Sequence, residues 1–202
     1  MKETVDLLQF EKALLSEGYK LIAGMDEAGR GPLAGPVTAA CCLPDLSTII
    51  SGINDSKKLS PKKRNTLFEE ITTNAIGYGI VDIDEREIDE TNILIATKKA
   101  MREAVEKLSP APEILLVDAV KEDFGIPSKA IIHGDALSYC IGAASILAKV
   151  HRDRLMDKYA EIYPEYGFEK HKGYGTAYHI EMLKKYGPCP IHRKTFIKNF
   201  FN

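Results

Sequence analysis

The sequence predicts a mixed α/β sheet flanked by helices. Three observations lead there. Five short runs rich in apolar residues have strand length and are bounded by Gly, Pro or polar clusters. Longer segments between and after them carry helical start and stop signals. Strands one to three come in succession, and helix, strand, strand and helices follow. That order suits a three-strand meander with a fourth strand added across a helical crossover.

In chain order, residues 5–17 read as a short amphipathic helix. Residues 21–25 form a buried strand that delivers Asp26 and Glu27 at its C-terminal end. Residues 29–36 are rich in Gly and Pro and read as a loop. Residues 37–43 are a second strand. After a loop, Ser60 as cap and Pro61 at the first helical position open a helix to about residue 73. Residues 75–83 are a third strand and 91–108 a helix. Residues 113–117 are a fourth strand, again leading to an acid, Asp118, and 130–133 are a short fifth. Residues 136–159 form a long helix, and 176–186 form another, stopped by Gly187-Pro188. There is no internal repeat. The chain reads as a single domain over residues 1–202, with a basic, mainly helical C-terminal extension from about 145 to 202.

A chain of 202 residues with 45% hydrophobic and 28% charged residues can bury a large core without disulfides or a structural metal. No apolar run approaches the roughly 18 residues a membrane helix needs, and the N-terminus lacks the pattern of a signal peptide. Cys41, Cys42, Cys140 and Cys189 form no CxxC pair, so a zinc site is not expected. They read as reduced, mostly buried thiols of a cytoplasmic protein, Cys41 and Cys42 pointing to opposite faces of their strand. Net charge is −2, but residues 54–65 carry +4, residues 145–200 carry +5 and residues 82–106 carry −4. Such segregation fits a basic face for a polyanion, and equally fits solvated helix faces.

The acids carry the chemistry. If the first and fourth strands are neighbours, Asp26 and Asp118 stand side by side, with Glu27 and Asp135 close by. Like charges at that range repel unless a cation neutralises them. An all-oxygen donor set selects hard divalent ions, Mg²⁺ or Mn²⁺, and four carboxylates suit a two-metal phosphodiesterase site. Taken alone, Asp135 reads better as the N-cap of the long helix. The 29–36 loop fits neither a Walker loop nor a dinucleotide fingerprint, because a strand rather than a helix follows it. Glycines on either side of Arg30 do allow close approach of a ligand to the backbone.

Together these residues resemble ribonuclease HII. The run Asp26-Glu27-Ala28-Gly29-Arg30-Gly31-Pro32-Leu33-Ala34-Gly35-Pro36-Val37 is similar to that family's signature. So are Asn54-Asp55-Ser56-Lys57-Lys58-Leu59-Ser60, Val117-Asp118, Gly134-Asp135, the stretch from Ala144 to Val150 with Arg152-Asp153, His171-Lys172-Gly173-Tyr174-Gly175-Thr176, and His192-Arg193. The resemblance spans about residues 20–195. It implies an RNase H-like fold, a five-stranded mixed sheet flanked by helices with a C-terminal helical extension. It also implies two divalent ions, Mn²⁺ or Mg²⁺, held by Asp26, Glu27, Asp118 and Asp135 during catalysis. Gly29, Arg30 and Gly31 are implied to read the ribonucleotide 2′-hydroxyl, the group that separates RNA from DNA. Tyr174 is implied to pack on the next, deoxy, sugar, while Asp55, Ser56, Lys57, Lys58, Ser145 and Lys149 hold phosphates. The implied reaction is hydrolysis 5′ to ribonucleotides in DNA duplexes and RNA/DNA hybrids, leaving 3′-hydroxyl and 5′-phosphate ends, by a monomer serving ribonucleotide excision repair and primer removal.

Two positions depart from the family pattern. His133 stands where Lys is frequent, and Gly175 where Pro is common. The Gly-Arg-Gly run separates this chain from the related HIII type. Residues 197–201 resemble the apolar anchor of sliding-clamp peptides, with Lys194 in place of the usual Gln, although a helix end or frayed terminus explains them as well. Two competing readings are strand transfer on the same fold and a non-catalytic hybrid-binding module. The ribose-reading loop argues against the first and the four acids against the second.

Overall fold

The computed structural model describes residues 6–54 and 56–201. Asp55 and Val5 therefore lie outside the described residues. The sheet has five strands: β1 (Ile22–Ala28), β2 (Val37–Leu43), β3 (Gly77–Ile83), β4 (Ile114–Asp118) and β5 (Ser128–Ile131). Their order is β3-β2-β1-β4-β5. The meander β1-β2-β3 is antiparallel, and β4 lies parallel to β1 on one side and to β5 on the other. This is the α/β architecture expected, a five-stranded mixed sheet between helices.

The helices are α1 (Gln9–Ser16), α2 (Pro61–Asn74), α3 (Glu85–Glu90), α4 (Ile93–Glu106), α5 (Tyr139–Ile162), α6 (Phe168–His171), α7 (Ala177–Tyr186) and α8 (Lys194–Ile197). Strand alternation divides the core. Ile22, Ala40, Cys42 and Leu116 face α1, α2 and α5, whereas Ala23, Met25, Cys41 and Leu115 face α3 and α4. Cys41 and Cys42 thus point to opposite faces as predicted, and all four thiols are free. A third cluster, Ala34, Met156, Tyr166, Phe168, Met182 and Ile191, gathers the chain after α5 against the 29–36 loop.

Several expected boundaries move. Ladder pairing of Asp26, Glu27 and Ala28 with Ala40, Ala39 and Thr38 carries β1 through the acids rather than ending before them. The helix expected over 91–108 is α4, which Asn92 opens by accepting from the Leu94 and Ile95 N–H groups; ahead of it stands a helix that was not anticipated, α3, capped by Asp84 accepting from the Glu87 N–H. The cap at Ser60-Pro61 is as expected, with Ser60 Oγ accepting from the Lys63 N–H. The capping role considered for Asp135 is overturned: Ser138 caps α5, its Oγ accepting from the Ile141 N–H. Asp135 sits one turn earlier in a 3-10 turn, Gly134–Ala136, and is 6% exposed. β5 ends at Ile131, two residues short of the expected limit, and His133 adopts a left-handed conformation at φ 58° that sets up that turn. No helix among the described residues is long and apolar enough to cross a membrane.

Candidate active site

Strand parity aims the first two acids. Counting by twos from Ile22 and from Ile114, Asp26 and Asp118 project from the same face of adjacent parallel strands, the face covered by α5. Asp135 arrives from the turn before α5. One carboxylate oxygen from each of Asp26, Asp118 and Asp135 lies within 4.8 Å of the others. The geometry is tied down locally. The Glu27 N–H donates to Asp26 Oδ1 at 2.7 Å and the Gly134 N–H to Asp118 Oδ1 at 2.8 Å. Glu27, one residue on from Asp26, starts from the other side of the strand and lies outside the trio. Its Oε1 accepts from Arg30 at 3.2 Å, while its Oε2 is buried without a partner among the described residues.

This arrangement holds too much negative charge. Burial, then the charges of Glu27 and Asp118, push the Asp26 carboxyl well above the usual carboxylate range. Burial, with Asp135 adding to it, raises Asp118, and burial raises Glu27 despite Arg30 beside it. Lys57 Nζ, 3.6 Å from Asp135 Oδ2, offsets only part of it. An all-oxygen cluster with an orphaned buried carboxylate oxygen fits hard divalent cations, which would both neutralise the charge and use that oxygen.

A pocket of about 260 Å³ opens beside the trio, lined by Asp26, Glu27, Gly29, Arg30, Gly31, Ser56, Lys57, Ser145, Lys149 and Tyr174. Ten of the anticipated residues thus converge, and Asp118 and Asp135 adjoin them; Lys58 is not among the lining residues. Ser145 and Ser56 are buried and joined at 2.9 Å. Lys149 is already paired with Asp153 at 2.7 Å. A Cβ on Gly31 would stand 3.7 Å from the Tyr174 ring, so the loop and the half-exposed tyrosine face each other across the pocket.

The matched family model is that of ribonuclease HII, over residues 23–201. The chain belongs to the ribonuclease HII family. The family consists of metal-dependent endonucleases of the ribonuclease H type, which act on nucleic acid. Ribonuclease HII of Acetivibrio thermocellus is 55% identical over 197 residues, 97% of this chain and 77% of that relative. The ribonuclease H2 structure from Pyrococcus horikoshii matches with a TM-score of 0.77 at 29% identity, covering 90% of this chain and 97% of that one. The PCNA:RNase HII complex from Archaeoglobus fulgidus matches at 0.76 with 27% identity and the same coverage.

Behind the pocket, the chain carries polar groups whose contacts the sequence did not disclose. Arg152 and Arg193 are buried, 1% and 0% exposed. So are His179 and His192, whose Nε2 atoms meet at 3.0 Å. The Cys189 N–H can only donate, so His192 Nδ1 accepts. The Tyr174 carbonyl can only accept, so His179 Nδ1–H donates. The pair is therefore His192 Nε2–H donating to a neutral His179, and a proton taken up by His179 would set two N–H groups against each other. Burial lowers both pKa values to about 4. A histidine whose folded pKa lies below its unfolded value of 6.5 adds stability that is complete above that value and is lost as pH falls towards about 4. The loss expected is on the order of 3 kcal/mol for the first proton taken up by the pair. Urea midpoints measured from pH 7 to pH 4 should fall more steeply in the wild type than in His179→Asn. Parallel curves would show that the pair does not titrate.

Proposed function

We propose that this enzyme hydrolyses the phosphodiester bond on the 5′ side of ribonucleotides embedded in DNA duplexes and in RNA/DNA hybrids. The observation that carries this reading is one pocket in which a Gly-Arg-Gly loop faces an aromatic ring beside a trio of carboxylates. Asp26, Asp118, Asp135 and Glu27 would hold the divalent ions. Two divalent ions held there, Mg²⁺ or Mn²⁺, would supply activation of the attacking water and neutralisation of the leaving 3′-oxygen. Gly29, Arg30 and Gly31 receive the 2′-hydroxyl. Tyr174 lies flat on the following sugar and disfavours a hydroxyl at its C2′. Ser56, Lys57, Lys58, Ser145 and Lys149, with Asp55, position the backbone without reading sequence. Such an activity suits removal of stray ribonucleotides and RNA primers from DNA in the cytoplasm, by a monomer.

The test is an end-labelled DNA duplex with a single ribonucleotide, incubated with Mg²⁺, with Mn²⁺ and with chelator. A metal-dependent nick 5′ to the ribonucleotide, leaving a 3′-hydroxyl and absent on all-DNA duplex, is expected. Folded protein that cuts with neither metal would sink the reading.

Sliding-clamp contact through residues 197–201 is a second reading, favoured by the PCNA complex of the Archaeoglobus fulgidus relative. Here Ile197 is 3% exposed in α8 and Phe201 is 49% exposed. Using the tail as an apolar anchor therefore requires α8 to release Ile197.

A further inference from the structure

The dipeptide His192-Arg193, just ahead of α8, reaches both walls of the pocket from behind. Arg193 sends its Nε to the Gly35 carbonyl at 2.9 Å, Nη1 to Arg30 at 3.0 Å, and Nη2 to Gly29 at 2.6 Å and Pro36 at 3.0 Å. No carboxylate lies within ion-pair range of it among the described residues. Burial pulls its pKa down to about 9, still above neutral pH, so it remains a charge solvated by peptide carbonyls. Burying an unpaired guanidinium is costly. What the protein gains is control of the loop.

Peptide geometry shows how. In a trans peptide the carbonyl of one residue and the N–H of the next point in opposite directions. With the Gly29 and Arg30 carbonyls drawn inward to Arg193, the N–H groups of Arg30 and Gly31 turn outward. Neither N–H has a protein partner among the described residues. The backbone of the same dipeptide stitches the loop in place: the Arg193 N–H donates to the Leu33 carbonyl at 2.9 Å, and His192 bridges to Ala34. The other wall is held through His192 and His179, whose Nδ1–H fixes the Tyr174 carbonyl at 2.9 Å.

We infer that Arg193, with His192 beside it, is a positioning element for ribose discrimination. It aims the loop N–H groups and sets their distance from Tyr174. This rests on the function proposed above. The enzyme selects one 2′-hydroxyl on one sugar and excludes it on the next, so the two walls need a fixed separation. A misplacement of about 1 Å from such a remote change costs on the order of 10²-fold in rate.

The experiment compares wild type with Arg193→Lys, which keeps the charge but cannot reach four carbonyls at once. Cleavage at a single embedded ribonucleotide is measured beside affinity for an all-DNA duplex of equal length, below the melting temperature of each protein. Arg193→Lys is expected to lose about 10²-fold in kcat with DNA affinity within about twofold, and to show faster hydrogen exchange in the 28–36 peptide. Unchanged cleavage, or equal loss of cleavage and DNA affinity, overturns the inference.

If Arg193→Lys does not fold, His179→Asn and His179→Leu carry the test at the other wall. Asn retains a donor for the Tyr174 carbonyl and should cleave faster than Leu; equal rates overturn the inference. A wild type that ignores the embedded ribonucleotide defeats the underlying reading instead, and the inference with it.

Discussion

Asp118→Asn is expected to reduce metal-dependent cleavage by about 10³-fold or more, the scale of losing a group that governs charge in the transition state. The substitution is nearly isosteric. Its amide oxygen can still accept the Gly134 N–H that now meets Asp118 Oδ1 at 2.8 Å, so the β4 terminus and the turn bearing Asp135 should hold. In the absence of metal the variant should be at least as stable as the wild type. One of three carboxylate charges within 4.8 Å of one another is gone, and like-charge repulsion with it. Duplex affinity should be equal or higher, since a negative charge facing phosphate has been removed. Saturating Mn²⁺ should raise the melting temperature of the wild type, by an amount corresponding to about 2.7 kcal/mol at a hundredfold excess over Kd, and raise that of the variant less. A folded Asp118→Asn protein that cleaves within about tenfold of wild type would remove Asp118 from the chemistry.

The location of that charge cluster was readable from the sequence for a topological reason. Two strands leading into acids, separated by a helical crossover, are parallel and adjacent when the crossover returns the chain beside the first strand. Asp26 and Asp118 then emerge together. Cap chemistry was equally local, so Ser60-Pro61 starts its helix where expected. The same local signal stands in Asp84-Glu85-Arg86-Glu87, and reading it would have found α3 ahead of the 91–108 helix. Asp135 shows the limit of such reasoning. Its residue type suits a cap, but Ser138 three residues later takes that role, and the acid's place beside its two partners followed from the family resemblance and the packed turn, not from local pattern.

Of the buried arginines and histidines, Arg152, His192 and Arg193 stood out only as parts of family-like motifs, and their burial and contacts were not legible. A basic residue in a basic segment reads as solvated, and the positions 171, 179 and 192 have no helical or metal-ligand spacing. They meet because the chain after α5 folds back on the 29–36 loop, a contact with sequence separations up to 164 residues.

The second large effect is on folding. Gly24→Ala is expected to cost about 3 kcal/mol or more, a fall in melting temperature on the order of 10 °C for a chain of this size, or to prevent recovery of folded protein. A Cβ at Gly24 would stand 2.0 Å from the Cys140 carbonyl carbon and 2.3 Å from the Ile141 nitrogen. These are backbone atoms in the first turn of α5, so no side-chain rotation relieves the clash. The helix must move away from β1. Gly24 lies two residues before Asp26 on the same face of the strand, and α5 also carries Ser145, whose hydrogen bond moderates the raised pKa of Asp26. Displacing α5 therefore separates the groups of the site as well as loosening the core.

Gly31→Ala is the matched control for stability. Its Cβ meets only the Tyr174 ring, at an ordinary contact distance of 3.7 Å, and its melting temperature should stay close to that of the wild type. If Gly24→Ala melted alongside Gly31→Ala, the close approach of α5 to β1 could not be what holds Asp26 in register with the rest of the site.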